Sequence, residues 1–423
     1  MTAQVTMLTM LVAAIFKVQI LSKELQGVLK QHYDLLFLEA CVRPALILSH
    51  IHKVPVILIS SFGAIMGTNS LIGTPNHPLL YPVSFRQRIY NLTFWEKVRG
   101  MYDHLNYEWI YQTYEAEEDE MLRSIFGPDI PKLRKLGDNI DMFFVNMFPI
   151  WLDNQPMPPN VITIGGLHEA PERELPKDLK SYLDTSKHGV IYMSFGTNIQ
   201  PSILPPQMVK MMMKVFSELP YDVIWKWNME MEDKPKNIKL FKWLPQPDLL
   251  KHPKLKLFIT QGGLQSTEES ITAGVPLIGI PMFSDQWYNT EKYLKHGIGL
   301  QLELGTFTEE DFKKTIVTVI EDNSFRNNII KLRTLMYDQP QAPLERAIWW
   351  TEYVLRHGGA KHLRAPAANM SWTEYYEVKL LLTLGSIFFT IIVILMIILN
   401  YIFKFIINSP NVKNKYLIKN KNN

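Results

Sequence analysis

Residues 257–276 read LFITQGGLQSTEESITAGVP, and these twenty positions carry the signals of a strand, a tight turn, a helix and the approach to a second strand. The apolar run 257–260 is typical of a buried strand. The pair Gly262 and Gly263 lets the backbone approach a ligand, and a helix predicted over 266–273 directs free N–H groups and its positive dipole end at that turn. This sequence of strand, glycine turn and helix predicts an anion-binding turn, although a glycine pair before a helix is also common in turns that bind no ligand.

The same alternation of short apolar runs and helical patterns continues on both sides of this stretch. It predicts strands at 190–195, 223–227, 239–241, 257–260, 277–280 and 300–303, and helices at 207–219, 266–273, 285–296, 309–321, 325–336 and 343–356. Gly274, Gly297 and Gly358 stand where helix C-caps are expected. This pattern predicts a parallel, doubly wound α/β domain.

The first half of the chain is less regular. Strands are predicted at 33–38, 56–59 and 142–146, and a helix at 95–122 whose acidic run 115–120 is expected to face solvent. Apolar residues between Leu8 and Leu21 recur at helical spacing and predict an amphipathic helix of a folded domain, with its apolar stripe packed inward. The Pro- and Gly-rich segment 153–176 is expected to be the connection between two domains.

Composition and charge exclude several classes of protein. The net charge of +3 falls to −2 without the five lysines of the last twenty residues, which removes the case for nucleic acid binding. A single cysteine, Cys41, cannot form an internal disulfide. Neither a Gly-x-Gly-x-x-Gly fingerprint nor a P-loop occurs, which argues against a nicotinamide oxidoreductase and against P-loop chemistry. Asp-x-Asp triplets and Cys/His zinc spacings are also missing from the sequence, so no metal site is expected.

The C-terminal region predicts a membrane anchor. Residues 380–403 carry no charge over 24 positions, and about 20 apolar residues suffice to cross a bilayer as a helix; the alternative is a buried core helix. Lysines in the tail 404–423 place that tail in the cytosol and everything upstream in the lumen. The tail resembles a di-lysine retrieval signal of the endoplasmic reticulum, although a lysine-rich anchor explains the same residues. Asn91 and Asn369 head glycosylation sequons on the lumenal side.

A longer stretch carries a family resemblance. The run 243–286 resembles the signature of the membrane-bound UDP-glycosyltransferases. It includes Trp243, residues 258–270, Asp285 and Gln286. The resemblance continues in the segments 165–168, 193–197 and 338–340. The resemblance implies a GT-B fold, with two Rossmann-like domains facing a cleft. It places a partial acceptor-binding domain at 1–165 and a UDP-sugar-binding domain at 166–370. The opening strands and the signal peptide of the family have no counterpart here, so we expect the sequence to be N-terminally truncated.

The resemblance also assigns a donor site residue by residue. It implies that Trp243 stacks on the uracil, that Gln246 hydrogen-bonds the nucleoside and that Glu269 holds the ribose hydroxyls, roles that suit a π face, an amide and an acid. The diphosphate would be held by Ser194, Gly196, Thr197, Gln261, Gly262, Gly263, Gln265 and Ser266, and the sugar by Asp285 and Gln286. The alternatives are a core tryptophan for Trp243 and a helix N-cap for Asp285. Gln261 stands where the family usually has histidine, which lowers the expected affinity for the donor.

The acceptor side lacks one catalytic group. An inverting transfer needs a base, which in the family is a histidine oriented by an acid. Glu39 matches the orienting acid, but nothing upstream resembles the histidine strand, and His32 should lie about 20 Å away at the opposite end of the predicted strand.

Two functions follow from the resemblance. The first is a metal-independent hexosyltransferase acting from UDP-glucose or UDP-glucuronic acid on small lipophilic acceptors in the endoplasmic reticulum, with no cofactor beyond the UDP-sugar. The alternative is a catalytically silent, membrane-anchored UDP-binding protein. Homo- or hetero-oligomers are possible for either.

Overall fold

The computed structural model describes residues 2–65, 67–197, 204–229, 231 and 233–408. The chain divides into two units, Met1–Asn369 and Met370–Asn423. The first unit contains two parallel β-sheets, one of four strands and one of six. The domain boundary predicted at residue 165 falls inside this unit and stays a prediction.

The first sheet consists of β1 (Leu36–Glu39), β2 (Val56–Ser60), β3 (Ile140–Val145) and β4 (Val161–Thr163), parallel and in that spatial order. Every residue of β3 is buried, as expected for a strand covered on both faces. The short strand β4 lies inside the segment 153–176, for which the sequence predicts only a connection. Three residues are too few to show a period-two pattern, so hydrophobic periodicity does not predict β4.

Among the described residues, the α-helices of this half are α1 (Thr2–Ile20), α2 (Lys23–Val28), α3 (Ile47–His52), α4 (Thr68–Ile72), α5 (Phe94–Phe126) and α6 (Leu133–Leu136). The predicted helix near the N-terminus is confirmed as α1, but its predicted inward face is wrong. Val5, Phe16 and Ile20 are buried, whereas Leu11 and Val18 are exposed. Apolar side chains surround this helix, so spacing alone does not identify the face that packs.

The acidic run on α5 is also only partly solvated. Glu118 is buried and forms an ion pair with Arg43 at 2.9 Å, and the carboxylate of Asp119 accepts a hydrogen bond from the N–H of Leu133 at 2.6 Å. The prediction that the whole run 115–120 faces solvent is therefore wrong at these two positions. Neither partner lies within the acidic run, since Leu133 is 14 positions from Asp119 and Arg43 belongs to another segment, so a local charge pattern misses both contacts.

The second sheet confirms the doubly wound prediction. It contains β5 (Val190–Ser194), β6 (Asp222–Lys226), β7 (Ile238–Phe241), β8 (Leu255–Thr260), β9 (Leu277–Gly279) and β10 (Gly299–Gln301). All pairings are parallel, in the order β10-β9-β8-β5-β6-β7. Helix α7 (Lys177–Thr185) precedes β5, and the helices between successive strands are α8 (Pro206–Glu218), α9 (Gln246–Leu250), α10 (Leu264–Ala273) and α11 (Gln286–His296). The winding reverses between β5 and β8, which is where ligands of such sheets bind.

Three further helices complete the first unit: α12 (Glu309–Glu321), α13 (Asn323–Tyr337) and α14 (Pro343–His357). The last of them returns to the first sheet, where Ala347 and Val354 share a buried cluster with Ile57 and Phe144. The predicted C-caps are confirmed at Gly274, Gly297 and Gly358, which have φ of 72°, 59° and 63°. Glycine adopts this left-handed backbone without the Cβ penalty.

The described part of the second unit consists of α15 (Trp372–Tyr375) and α16 (Val378–Asn408). Residues 378–406 of α16 have a mean hydropathy of 2.8 over their most apolar window, and none of that window is buried. By length and composition this helix is able to cross a membrane. The tail from residue 409 onward, with most of the predicted cytosolic lysines, lies outside the described residues.

Candidate functional site

The glycine turn at 262–263 lies where the neighbouring strands β5 and β8 both end. Gly196, in the loop after β5, has a φ of 73°, and a Cβ at this position would lie 2.3 Å from Nε2 of Gln261. Gln261 is buried, and its Oε1 accepts a hydrogen bond from the hydroxyl of Thr260 at 3.3 Å. The two loops therefore meet closely, as the predicted diphosphate site requires.

Three side chains assigned to the nucleoside and its phosphates form one hydrogen-bonded cluster. Nε2 of Gln246 donates to Oγ of Ser266 at 2.9 Å and to Oε2 of Glu269 at 2.7 Å. The hydroxyl of Tyr192 donates to Oε1 of Gln246 at 2.9 Å. Burial raises the pKa of Glu269, while the hydrogen bond from Gln246 acts in the opposite direction. Residues from β5, α9 and α10 thus hold one another in place as one polar cluster.

Trp243 follows β7 and is 70% exposed, so the alternative of a core tryptophan is wrong. The ammonium group of Lys226 lies 4.4 Å from the centroid of the indole ring and donates to the carbonyl oxygen of Gly196 at 3.1 Å. The exposed ring therefore offers a stacking surface, and a cation lies between it and the glycine loop. Lys226 has no local signal in the sequence, because its nearness to the glycine loop depends on the strand order that places β6 two strands from β8.

The remaining diphosphate candidates differ in exposure. Thr197 and Gln265 are exposed, and α10 begins behind Gly263 without a side-chain cap, which leaves first-turn N–H groups for a ligand. Ser194 is buried, and its Oγ accepts a hydrogen bond from the N–H of Gly196 at 3.3 Å. Ser194 therefore shapes the glycine loop, and its direct contact with phosphate stays a prediction.

Asp285 and Gln286 open α11, and both are buried. Asp285 occupies the N-cap position but its carboxylate makes no capping hydrogen bond; Oδ2 accepts instead from Nδ2 of Asn289 at 2.8 Å. Burial raises the pKa of Asp285 to about 6. The preceding Ser284 has a left-handed φ of 57°, a backbone that costs energy in a residue with a Cβ. A strained backbone and a desolvated acid are typical of a functional site.

Gln286 supports this turn. Its Oε1 accepts hydrogen bonds from the N–H groups of Met282 and Phe283, both at 2.8 Å. A sugar contact of Gln286 would have to come from its amide nitrogen, and that contact stays a prediction.

The acceptor-side acid, Glu39, ends the edge strand β1 and is exposed. Its carboxylate accepts hydrogen bonds from the backbone of Ala40 and from the backbone and thiol of Cys41. His32 precedes β1 at the opposite end of the strand, as expected. In the described part of the chain, no group of three or more His, Cys, Asp or Glu is placed to hold a metal ion. The absence of the base histidine and the independence of the reaction from metal both stay predictions.

The two sequons have different surroundings. Asn91 is exposed, with a φ of 52°, in the turn before α5. Nδ2 of Asn369, the atom a glycan would modify, donates to the carbonyl oxygen of Arg134 at 2.9 Å and to Oδ1 of Asp138 at 2.8 Å. Modification of Asn369 would leave one hydrogen on Nδ2, so at least one of these contacts would be lost; glycosylation at either position stays a prediction.

Comparison with solved structures identifies the fold. The UDP-glucose: anthocyanidin 3-O-glucosyltransferase in complex with UDP superposes with a TM-score of 0.55 at 18% identity, over 79% of this chain and 78% of that one. The calicheamicin glycosyltransferase CalG4 gives a TM-score of 0.56 at 16% identity, over 83% and 80%. The two parallel sheets are thus those of a GT-B glycosyltransferase.

Sequence comparison identifies the family. The ecdysteroid UDP-glucosyltransferase of Spodoptera littoralis nuclear polyhedrosis virus is 36% identical over 365 residues, which are 83% of this chain and 70% of the relative. Human UDP-glucuronosyltransferase 2B15 is 32% identical over 321 residues, 75% of this chain and 60% of the relative. A family model described as UDP-glucoronosyl and UDP-glucosyl transferase matches residues 2–413. The chain belongs to this family and is a UDP-sugar transferase.

Proposed function

We propose that this protein transfers glucose or glucuronic acid from the UDP-sugar to a hydroxyl of a small lipophilic acceptor, with inversion and without a metal ion. The observation that carries the proposal is the cluster of Gln246, Ser266, Glu269 and Tyr192 beside the exposed ring of Trp243. An aromatic face, an amide and a carboxylate are the groups that a base and a ribose need. The adjoining glycine turn and the cation of Lys226 suit the diphosphate.

The proposed lipophilic acceptor is supported by the names of related proteins, and one small pocket lies on the acceptor side. It lies between the carboxyl ends of β2 and β3 and helix α11, and its lining includes Phe62, Met147, Leu152 and Tyr288. Polar Asn69, Ser84 and Gln155 share this lining, and the volume of about 30 Å³ suits a water molecule rather than a whole acceptor. Two proteins that this chain resembles are named for ecdysteroid and anthocyanidin, which are polycyclic compounds with hydroxyl groups.

The proposed location is the membrane of the endoplasmic reticulum, with the first unit in the lumen. Helix α16 supports the anchor through its length and hydropathy. Lys404 and the lysines that follow it support a cytosolic tail by the positive-inside rule. A hydrophobic acceptor dissolved in the bilayer would then be available beside the enzyme.

One observation favours a second candidate, a UDP-binding protein without turnover. The carboxylate of Glu39, which would orient the base, accepts its hydrogen bonds from Ala40 and Cys41 rather than from a histidine. The donor side does not depend on this group, so UDP binding would persist without catalysis.

A paired assay separates the two candidates. Membranes containing the full chain are incubated with radiolabelled UDP-glucose or UDP-glucuronic acid and a simple phenol, and the same detergent extract is passed over immobilised UDP. We expect glycosylated phenol above the level of empty membranes, together with retention on UDP. Retention without product with either sugar would establish the silent binding protein. If the chain shows no retention on UDP and forms no product, both candidates are refuted.

A further inference from the structure

Asn289 lies on α11 one turn after Asp285 and is 1% exposed. Its Nδ2 donates to Oδ2 of Asp285 at 2.8 Å and to the carbonyl oxygen of Gly262 at 2.9 Å. Its Oδ1 accepts from the indole N–H of Trp151 at 2.9 Å. One buried amide therefore contacts the proposed sugar-binding acid, the glycine turn and a residue that follows β3 of the first sheet.

The partners fix which way this amide points. An indole N–H is only a donor, while a carbonyl oxygen is only an acceptor and an ionised carboxylate accepts as well. If the amide were rotated by 180°, its NH2 group would face the indole N–H of Trp151. Its oxygen would face the carbonyl oxygen of Gly262 and the carboxylate of Asp285, and all three hydrogen bonds would be lost. Trp151 is itself fully buried, with its ring stacked on that of His296 at 5.8 Å. The tryptophan thus sets the orientation of the amide, and the amide sets that of the carboxylate.

We propose that Asn289 is a positioning residue for sugar binding: its hydrogen bond holds one oxygen of Asp285 and turns the other toward the hexose, in an orientation imposed by Trp151, which follows β3. The inference rests on the proposed function, since it takes Asp285 as a contact of the sugar. It adds a link between the two halves of the molecule, because the sugar-binding acid is held correctly only while Trp151 is in place. The nucleoside cluster of Gln246 and Glu269 shares none of these hydrogen bonds.

The test compares two ligands that differ only by the sugar. Dissociation constants of UDP and of UDP-glucose are measured by equilibrium binding to the detergent-solubilised full chain. Asn289→Ala should weaken UDP-glucose about tenfold, since a hydrogen bond to a charged group is lost, and should weaken UDP less, through the lost contact with the carbonyl oxygen of Gly262 alone. Trp151→Phe keeps the aromatic packing but removes the N–H, and we expect a smaller loss confined to UDP-glucose.

Asn328→Ala is the matched control, because Nδ2 of Asn328 also donates to a glycine carbonyl, that of Gly297, at 3.0 Å. Its two dissociation constants should equal those of the wild type. An Asn289→Ala or Trp151→Phe protein that unfolds at the wild-type temperature and binds UDP-glucose normally would overturn the inference. Equal weakening of UDP and UDP-glucose in both variants would overturn it as well, since that result indicates a structural role. Failure of the wild type to bind either ligand would instead refute the proposed function.

Discussion

At the scale of single residues, the buried carboxylate of Asp285 is the most informative group. Its pKa rises from 3.8 to about 6 because burial penalises the charged form. At neutral pH the folded protein therefore holds a charge that costs about 3 kcal/mol. We predict that Asp285→Asn raises the free energy of unfolding by up to about 3 kcal/mol at pH 7 while it weakens UDP-sugar binding. Chemical unfolding of the detergent-solubilised chain measures the first effect, and equilibrium binding measures the second.

The pH dependence provides the control for this prediction. A raised pKa in the folded state means that the penalty is complete above pH 6 and disappears below about pH 4. The stability advantage of Asp285→Asn should shrink over that interval as the pH falls. An advantage that stays constant from pH 7 to pH 4 would contradict the assignment of the penalty to this carboxylate.

Trp243 provides a second prediction at this scale. Trp243→Ala removes the proposed stacking surface for the base and should weaken UDP binding by about 1–3 kcal/mol. Trp95→Ala is the matched control, because Trp95 is 75% exposed and lies on α5, outside the second sheet. Isothermal titration with UDP measures both variants. Equal affinities for the two would show that Trp243 is not part of the nucleoside pocket.

At the scale of elements, the turn between β8 and α10 depends on Gly262. Its φ is 91°, and a Cβ there would lie 2.6 Å from Cγ2 of Thr290 and 3.0 Å from the carbonyl oxygen of Gln286. Gly305 has a similar φ of 86° but no atom within 4 Å of the same Cβ position. Gly305→Ala should lose about 1–2 kcal/mol of stability through the backbone alone. Gly262→Ala should lower the free energy of unfolding by about 1–3 kcal/mol more, because its Cβ would overlap Thr290 and the backbone of Gln286.

Binding separates the two glycine variants more clearly than stability does. Only Gly262→Ala moves the turn that leads into α10, so only this variant should lose affinity for UDP. Thermal unfolding and UDP retention on the same preparations measure both effects. Normal UDP retention by Gly262→Ala would argue that the turn does not contact the diphosphate.

The elements also show how far sequence reasoning reaches. The strands of the second sheet lie within about two residues of their predicted positions, because each has an apolar centre and lies between helical patterns. In the first half, β4 is too short to show a period, and α1 is apolar on every side. The ion pair of Glu118 with Arg43 joins residues 75 positions apart, beyond the reach of a local pattern.

The candidate site shows the same limit. The family resemblance named Gln246, Ser266 and Glu269, and the structure joins all three by hydrogen bonds. It did not name Tyr192, Lys226 or Asn289, which act through contacts across the fold. Asn289 alone had a local signal, since it stands four residues after Asp285 on one face of a helix.

At the scale of the whole molecule, a buried ion pair joins the two halves of the first unit. Nζ of Lys292 on α11 is fully buried and lies 2.7 Å from Oδ2 of Asp153, which follows β3. Burial alone would raise the pKa of Asp153, but Lys292 and Lys295 hold it below its ordinary value. The hydroxyl of Tyr90 contacts both Lys292, at 3.0 Å, and Asp153, at 2.6 Å. The contact therefore combines residues from three separate segments.

Asp153→Asn removes the charge but retains a residue that tolerates the left-handed φ of 54° at this position. It leaves Lys292 buried without its counter-charge, and we predict a loss of about 3–5 kcal/mol in the free energy of unfolding. The wild-type contribution is present at neutral pH and is lost as the pH falls below the ordinary range of an aspartate, because the pKa of Asp153 is lowered in the folded state.

The control for this variant is an exposed ion pair of the same length. Glu218→Ala breaks the pair of Glu218 with Lys313, which is also 2.7 Å long but exposed. Exposed pairs contribute little, so denaturant unfolding of Glu218→Ala should be close to that of the wild type. Equal loss in the two variants would mean that the pair of Asp153 and Lys292 is no stronger than a surface contact.

The most direct test is to locate the donor by photoaffinity labelling. The full chain in its membranes is irradiated with 5-azido-UDP-glucose, whose reactive group is on the uracil, and the labelled tryptic peptides are sequenced by mass spectrometry. The label is predicted on the peptide 243–251, which begins at Trp243 and contains Gln246. This labelling should be suppressed by excess UDP. UDP-protected label confined to peptides outside the second sheet would contradict the donor site described above.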